Sequence, residues 1–257
     1  MEYIVVCVAA LIASGLTLFS GFGLGTLLMP VTALFFPIEL AIAITAIVHL
    51  ANNLFKVGLM GGQSEKSVLI KFGVPAVLAA LIGATLLNRI GSVPAIYHYI
   101  AFGREVEISS IKLVIGILII LFVALELSER FSRIKLDRKW LPLGGVVSGF
   151  FGGLSGHQGA FRSMFLLKAG LGKEAFVATG IVLAVMVDLS RMTVYGAGAL
   201  AYGNNAQWGL AGAASISAFL GAYVGAKILK KVTIRFIQLA VSALLIVVAI
   251  GLISGLM

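Results

Sequence analysis

Residues 140–170 read WLPLGGVVSGFFGGLSGHQGAFRSMFLLKAG, an apolar stretch long enough for a bilayer yet cut by Gly152-Gly153-Leu154-Ser155-Gly156-His157-Gln158-Gly159. Glycine weakens a helix interior and lets backbone or ligand approach closely, so this pattern predicts a helix that breaks inside the segment. Working outward, the first apolar stretch, 3–36, is interrupted in the same way by Ser20-Gly21-Phe22-Gly23-Leu24-Gly25. Six further apolar segments lie at about 39–60, 68–89, 111–128, 174–196, 208–228 and 234–256. Each is close to the roughly 20 residues that a helix needs to span about 30 Å of hydrocarbon. With 60% of its 257 residues hydrophobic and 11% charged, the chain cannot be a soluble domain.

The two interrupted segments open the two halves of the chain. A shift of 134 positions places Gly15 on Gly149, Gly25 on Gly159, Ala41 on Ala175, Thr45 on Thr179 and Ile47-Val48 on Ile181-Val182. Ile111-Lys112 and Ile234-Arg235 open the last segment of each half, after a longer loop in the first. The shared order of segments predicts a duplicated unit within one membrane domain spanning 1–257, with repeat 1 over 1–128 and repeat 2 over 129–257.

Charge decides how the broken segments lie. If all eight segments crossed, the basic loops around Arg130 to Lys139 and Lys227 to Arg235 would face opposite sides, against the positive-inside rule. If each broken segment enters and leaves on one side, six helices cross and 14 of the 19 Lys and Arg fall inside. Those are Lys56, Lys66, Lys71, Arg130, Arg133, Lys135, Arg138, Lys139, Lys168, Lys173, Lys227, Lys230, Lys231 and Arg235. Arg89, Arg104, Lys112 and Arg191 remain outside, with both termini. Three crossings per half invert one half relative to the other. The expected fold class is therefore an all-α integral membrane protein of two inverted repeats, each a broken re-entrant helix hairpin plus three transmembrane helices. The net charge of +9 serves topology rather than nucleic acid, because its basic residues sit in short clusters between apolar runs. Cys7 is the only cysteine, so no intrachain disulfide forms. The N-terminal run lacks a basic n-region and outlasts a signal-peptide core, and is expected to belong to the mature protein.

Polar residues inside these helices are the candidates for chemistry. His49, Asn52, Asn53 and Lys56 interrupt segment 39–60 at helical spacing and share one face. At membrane depth such residues face a cavity or a partner helix. For Lys56 a site role stands beside snorkelling to the interface, and for His49 and Asn53 a pathway role stands beside an interhelical hydrogen bond. Ser155, His157, Gln158, Arg162 and Ser163 surround the second break. A break that ends in a helix N-terminus presents free N–H groups and the positive end of the helix dipole, which favour an anion. Arg162 adds a permanent planar cation. Arg162, His157, Gln158, Ser163, Gly23, Gly25, Asn53 and His49 are thus the expected substrate-binding set, with no metal or cofactor. Asp188 and Arg191 lie three apart, with Tyr195 on the same stripe. They are expected, with Lys56, as an ion pair or coupling group, and Asp188 could instead pair with Arg162.

These residues resemble the sulfite exporter TauE/SafE family, related to toluene-sulfonate uptake permeases: each half opens with a glycine-rich broken segment and then a helix with an Ala-x-x-x-Thr start. Gly21-Phe22-Gly23-Leu24-Gly25 to Pro30 with Ala41 and Thr45 carry the likeness in the first half, and Gly149 to Gly159 with Ala175 and Thr179 in the second. Gly156-His157-Gln158-Gly159-Ala160-Phe161-Arg162-Ser163, Gly170-Leu171-Gly172-Lys173-Glu174-Ala175-Phe176, Asp188 and Arg191 look like one subgroup. The resemblance covers nearly the whole chain. It implies a multi-pass transporter of sulfur oxyanions or organic sulfonates, such as sulfite, in a bacterial inner membrane. Its partners would be a small anion and the lipid bilayer, with a homo-oligomer left open and no enzymatic activity. Two other readings compete. An anion channel would use the same path. Gly153-Leu154-Ser155-Gly156 also fits the Gly-x-Ser-Gly of rhomboid intramembrane proteases, and His49-x-x-x-Asn53 imitates their oxyanion-side helix. That enzyme takes its base from a later helix, however, and no histidine follows His157.

Overall fold

The computed structural model describes residues 1–20, 24–101, 103–130, 134, 136–167, 169–201, 207–228 and 234–256. The first apolar stretch forms α1 (Glu2–Ser20) and α2 (Leu24–Ala33), and α3 (Ile38–Met60) starts directly after Pro37. Next comes α4 (Lys66–Gly91), whose Leu69–Gly73 stretch is π-helical. In α5 (Ser110–Leu127) the Ser109 hydroxyl caps the first turn by accepting from the Lys112 N–H. The segment at 140–170 divides into α6 (Leu141–Ser155), with Pro142 in its first turn, and α7 (Gly159–Leu166). The chain then runs through α8 (Lys173–Ala201), α9 (Trp208–Ile228) and α10 (Ile234–Ser254).

A β-hairpin occupies the longer loop of the first half. β1 (Tyr97–Ala101) pairs antiparallel with β2 (Arg104–Ile108), and Gly103 supplies the left-handed turn position with φ 71°. Its signal in the sequence is the alternation of Tyr97, Tyr99, Val106 and Ile108 with polar residues, short beside the long apolar helices.

Helix pairings between the two halves recur with the halves exchanged. α1 lies along α9 as α6 lies along α4, and α3 touches α9 as α8 touches α4. Across the centre α3 meets α8, and α5 meets α10. The α4–α6 seam is closed by Gly145, Gly149 and Gly153, where an added Cβ would run into the carbonyl oxygens of Phe72, Ala76 and Ala80. Glycine at every fourth residue lets two helices meet backbone to backbone, as is common between helices in lipid. Gly221 of α9 plays the same part against the Leu11 carbonyl of α1.

The broken segments fold back on themselves. The Ser148 hydroxyl donates to the Gln158 carbonyl (3.0 Å), and Gly144 lies against the Phe165 ring, so α7 returns along α6. In the first half Val6, Ala10 and Ala13 of α1 share a core with Leu24, Leu27 and Leu28 of α2. Two ends of the molecule result. At one, Arg138 Nη2 lies 3.7 Å from Glu65 Oε1, and the Glu65 N–H donates to Thr179 Oγ1 (2.9 Å) near the start of α8. At the other, Tyr99 donates to the Ser254 carbonyl (2.6 Å), Gly255 abuts Glu107, and Tyr3 approaches Gly209 at the start of α9. Of the basic residues expected inside, Arg133, Lys135, Lys168, Lys230 and Lys231 lie outside the described residues.

By length and composition, Leu40–Gln63, Lys66–Gly91 and Lys173–Tyr195 can cross a membrane, and Glu2–Gly15, Ser110–Leu125, Trp208–Val224 and Ser242–Ser254 are shorter apolar stretches. Burial is inverted relative to a soluble protein. Leu78 and Ile82 on α4, Ile216 and Leu220 on α9, and Val247 and Ile250 on α10 are exposed, whereas His49, Asn52, Asp188 and Arg191 are buried. A surface of this kind suits hydrocarbon, and the backbone polar groups that lipid cannot satisfy are taken up within helices. The molecule is a multi-pass α-helical membrane protein.

Candidate functional site

The site forms where α3, α8 and the second break converge. Gly156, with φ 80°, ends α6 in the left-handed conformation that other residues rarely adopt, and the turn brings Gln158 and α7 back under Ser148. On α3, His49, Asn52, Asn53 and Lys56 are all buried. α8 presents Asp188, Arg191 and Tyr195 toward them.

Asp188 has no solvent exposure and is the hub of the network. His49 Nδ1 lies 2.6 Å from Oδ2, which makes Nδ1 the proton-bearing nitrogen, since a carboxylate only accepts. Arg191 donates from Nε to Oδ1 (3.0 Å) with Nη2 at 2.8 Å, and Gln158 Nε2 reaches Oδ1 at 3.4 Å. Asn53 Nδ2 approaches Oδ2 at 3.5 Å. A buried carboxylate is tolerated only when paired and hydrogen-bonded, and Asp188 meets both conditions. Tyr195 donates to the Gly153 carbonyl and so ties this face of α8 to the glycine seam.

Arg191, placed with the outer charges by the sequence reading, instead sits in this centre at 2% exposure, because α8 continues ten residues beyond it to Ala201. It is also Arg191, and not Arg162, that pairs with Asp188. Arg162 donates from Nη1 to Gln158 Oε1 (3.3 Å), its Nε faces Gly180 of α8, and it has no ion pair among the described residues. Gln158 therefore bridges the Asp188 carboxylate and the Arg162 guanidinium.

The two breaks approach one another. A Cβ on Gly25 would stand 3.9 Å from the Gly156 carbonyl oxygen, 3.9 Å from His49 Cδ2 and 3.7 Å from Thr45 Cγ2. Gly23 lies outside the described residues. His157 hydrogen-bonds through Nδ1 to the Ser155 carbonyl (3.0 Å) and stacks on Phe122 of α5, with ring centroids 5.0 Å apart. Its Nε2 is buried without a partner, as are Thr45 Oγ1 and Asn52 Nδ2. Ser163 is half-buried beside Arg162 and makes no side-chain hydrogen bond to the network. Lys56 is enclosed by protein at 6% exposure, one turn beyond Asn53.

The sequence reading thus named His49, Asn53, Gln158, Arg162, Asp188 and Arg191, which the fold joins. It missed Phe122, the Thr45 hydroxyl and Ser14, whose Oγ donates to Asn52 Oδ1 (2.9 Å). Ser14 and Thr45 are polar residues in apolar helices and could have been noticed on that ground; a phenylalanine among apolar residues gives no signal. As for hydrolysis, His157 Nδ1 lies 3.2 Å from Ser155 Oγ, but the Ser155 hydroxyl donates to the Phe151 carbonyl (3.2 Å), and among the described residues no third group meets His157 Nε2 to orient the ring as in a serine hydrolase.

No curated protein and no solved structure matches the chain. The family profile described as sulfite exporter TauE/SafE matches residues 6–252. Members of that family are transporters rather than enzymes, which removes the protease reading. With both helix breaks, the buried polar centre and the crossing helices inside the matched span, the chain belongs to the sulfite exporter TauE/SafE family of membrane transporters.

Proposed function

We propose that the protein carries a small anion, a sulfur oxyanion or organic sulfonate such as sulfite, across the bacterial inner membrane, and binds it at mid-membrane between the two helix breaks. The observation that carries this reading is a charge imbalance. Arg162 and Arg191 stand in or beside the centre against one buried carboxylate among the described residues, Asp188. Uncompensated charge is expensive away from water, so an excess of cations favours an anionic cargo. The donors that now meet Asp188 also suit an oxyanion, and the N-terminus of α7 and the facing backbone at Gly25 add to the same preference. Arg162, His157, Gln158, Ser163, Gly23, Gly25, Asn53 and His49 form the proposed binding set, and Asp188 and Arg191 its charged frame, with Lys56 two turns along α3 from His49.

Repeats 1–128 and 129–257 are read as inverted copies, so that rocking one against the other would expose the site to each side in turn. The exchange of helix pairings between the halves supports this. Counterflow in proteoliposomes tests the proposal, using labelled sulfite, thiosulfate, sulfate, a sulfonate and a carboxylate. Sulfite or the sulfonate is expected to exchange fastest, with trans-stimulation that a channel lacks. A preference for cations or neutral solutes rejects it.

A further inference from the structure

Two nitrogen donors on α3 are left unused by the central network. Among the described residues Lys56, at 6% exposure, forms no hydrogen bond or ion pair, and the Nδ2 of Asn52, a residue with no exposure, has no partner. The Ser14 hydroxyl donates to Asn52 Oδ1 (2.9 Å), and the NH2 group is on the open side. Residues four apart on a helix stand on one face, about 6 Å apart along the axis. The open amide and the ammonium therefore form a pair of donors. They lie between the Asp188 centre and the end of α3 at Met60, with Lys56 about 10 Å along the axis from His49.

Buried donors in native proteins nearly always have an acceptor, and a largely buried ammonium without a counter-charge is costly. The described part of the chain offers none: Asp188 is its only buried carboxylate and is already engaged. We propose that Lys56 and Asn52 form a second anion station, which takes an oxyanion of the same class as the central site. It lies on the way to the end that carries Arg138. Sites in series let one bound ion loosen the next, so that binding is strong enough to enter and weak enough to leave. The proposal rests on the anion-transport reading above.

Equilibrium binding of radiolabelled sulfite to purified protein in nanodiscs tests it by stoichiometry. The parent is expected to bind two anions per chain, Lys56→Gln one, and Lys56→Arg two. Two anions bound by Lys56→Gln, or one bound by the parent and by Lys56→Gln alike, overturns the second station and leaves the central site standing. No binding by the folded parent overturns the anion reading itself. Asn52→Ala gives a second measure should Lys56→Gln fail to fold: its weaker site is expected to lose affinity about tenfold, and an unchanged pair of affinities overturns the proposal.

Discussion

The α4–α6 and α3–α8 contacts both join one half of the chain to the other, but from opposite materials. Along α4–α6 the closest approach is glycine against backbone carbonyl, at Gly145, Gly149 and Gly153. Along α3–α8 it is side chain to side chain, with His49 and Asn53 meeting Asp188. A glycine seam gains packing and has no alternative partner, so it holds the halves in register. A network of donors around one carboxylate is expensive in a membrane protein, and in the proposed transport its donors would pass from Asp188 to the anion. The seam holds the halves together, and the polar contact is the proposed binding site.

Breaking the seam should have the largest effect. Gly149→Val would drive a side chain into the backbone at Ala76, where no rotamer change gives relief. The loss should exceed the roughly 1–3 kcal/mol of an ordinary overpacked core site. Size-exclusion profiles after solubilisation should show aggregated or absent protein, and a parental melting curve would mean that the seam is not rigid.

Next comes the polar side of the comparison. Asp188→Asn leaves Arg191 without its counter-charge, and removing one member of a buried pair costs about 3–5 kcal/mol. Arg191→Gln added to Asp188→Asn should recover part of the lost thermal stability. Simple additivity of the two losses would show that the residues do not act as a pair.

Tyr195→Phe sharpens the contrast, because its hydroxyl links α8 to the seam at Gly153. Loss of a single neutral hydrogen bond should lower stability by about 1 kcal/mol in a chemical-denaturation series, and no change would show the two regions to be independent. The smallest effect belongs to Glu65→Gln, whose ion pair with Arg138 is nearly half exposed on both sides. Exposed pairs contribute at most about 1 kcal/mol, so its melting temperature should stay close to the parent's.

Periodicity and apolar length made the helices legible to within a few residues, since lipid imposes a length on each crossing. The breaks were legible because glycine clusters at Gly21–Gly25 and Gly152–Gly159 stand out in apolar surroundings. Polar residues at depth marked most of the centre for the same reason. What escaped was partnership. The Asp188–Arg191 pair follows from its three-residue spacing, but that His49 and Gln158 also reach Asp188 depends on how α3 packs on α8 and on the Gly156 turn. Phe122 escaped because its role is the ring face it offers to His157, set by the packing of α5.

If the Arg162 guanidinium at the second break holds the anion as proposed, sulfite binds Arg162→Lys more weakly than the parent. A guanidinium can give an oxyanion two parallel N–H bonds, whereas an ammonium acts as a point charge. Loss of one hydrogen bond to a charged group is worth about 1.5–3 kcal/mol, or a Kd weaker by roughly tenfold or more. The account predicts that loss in a protein whose melting temperature is unchanged. Parental affinity in Arg162→Lys, or a folding defect that Asp188→Asn repairs, would contradict it.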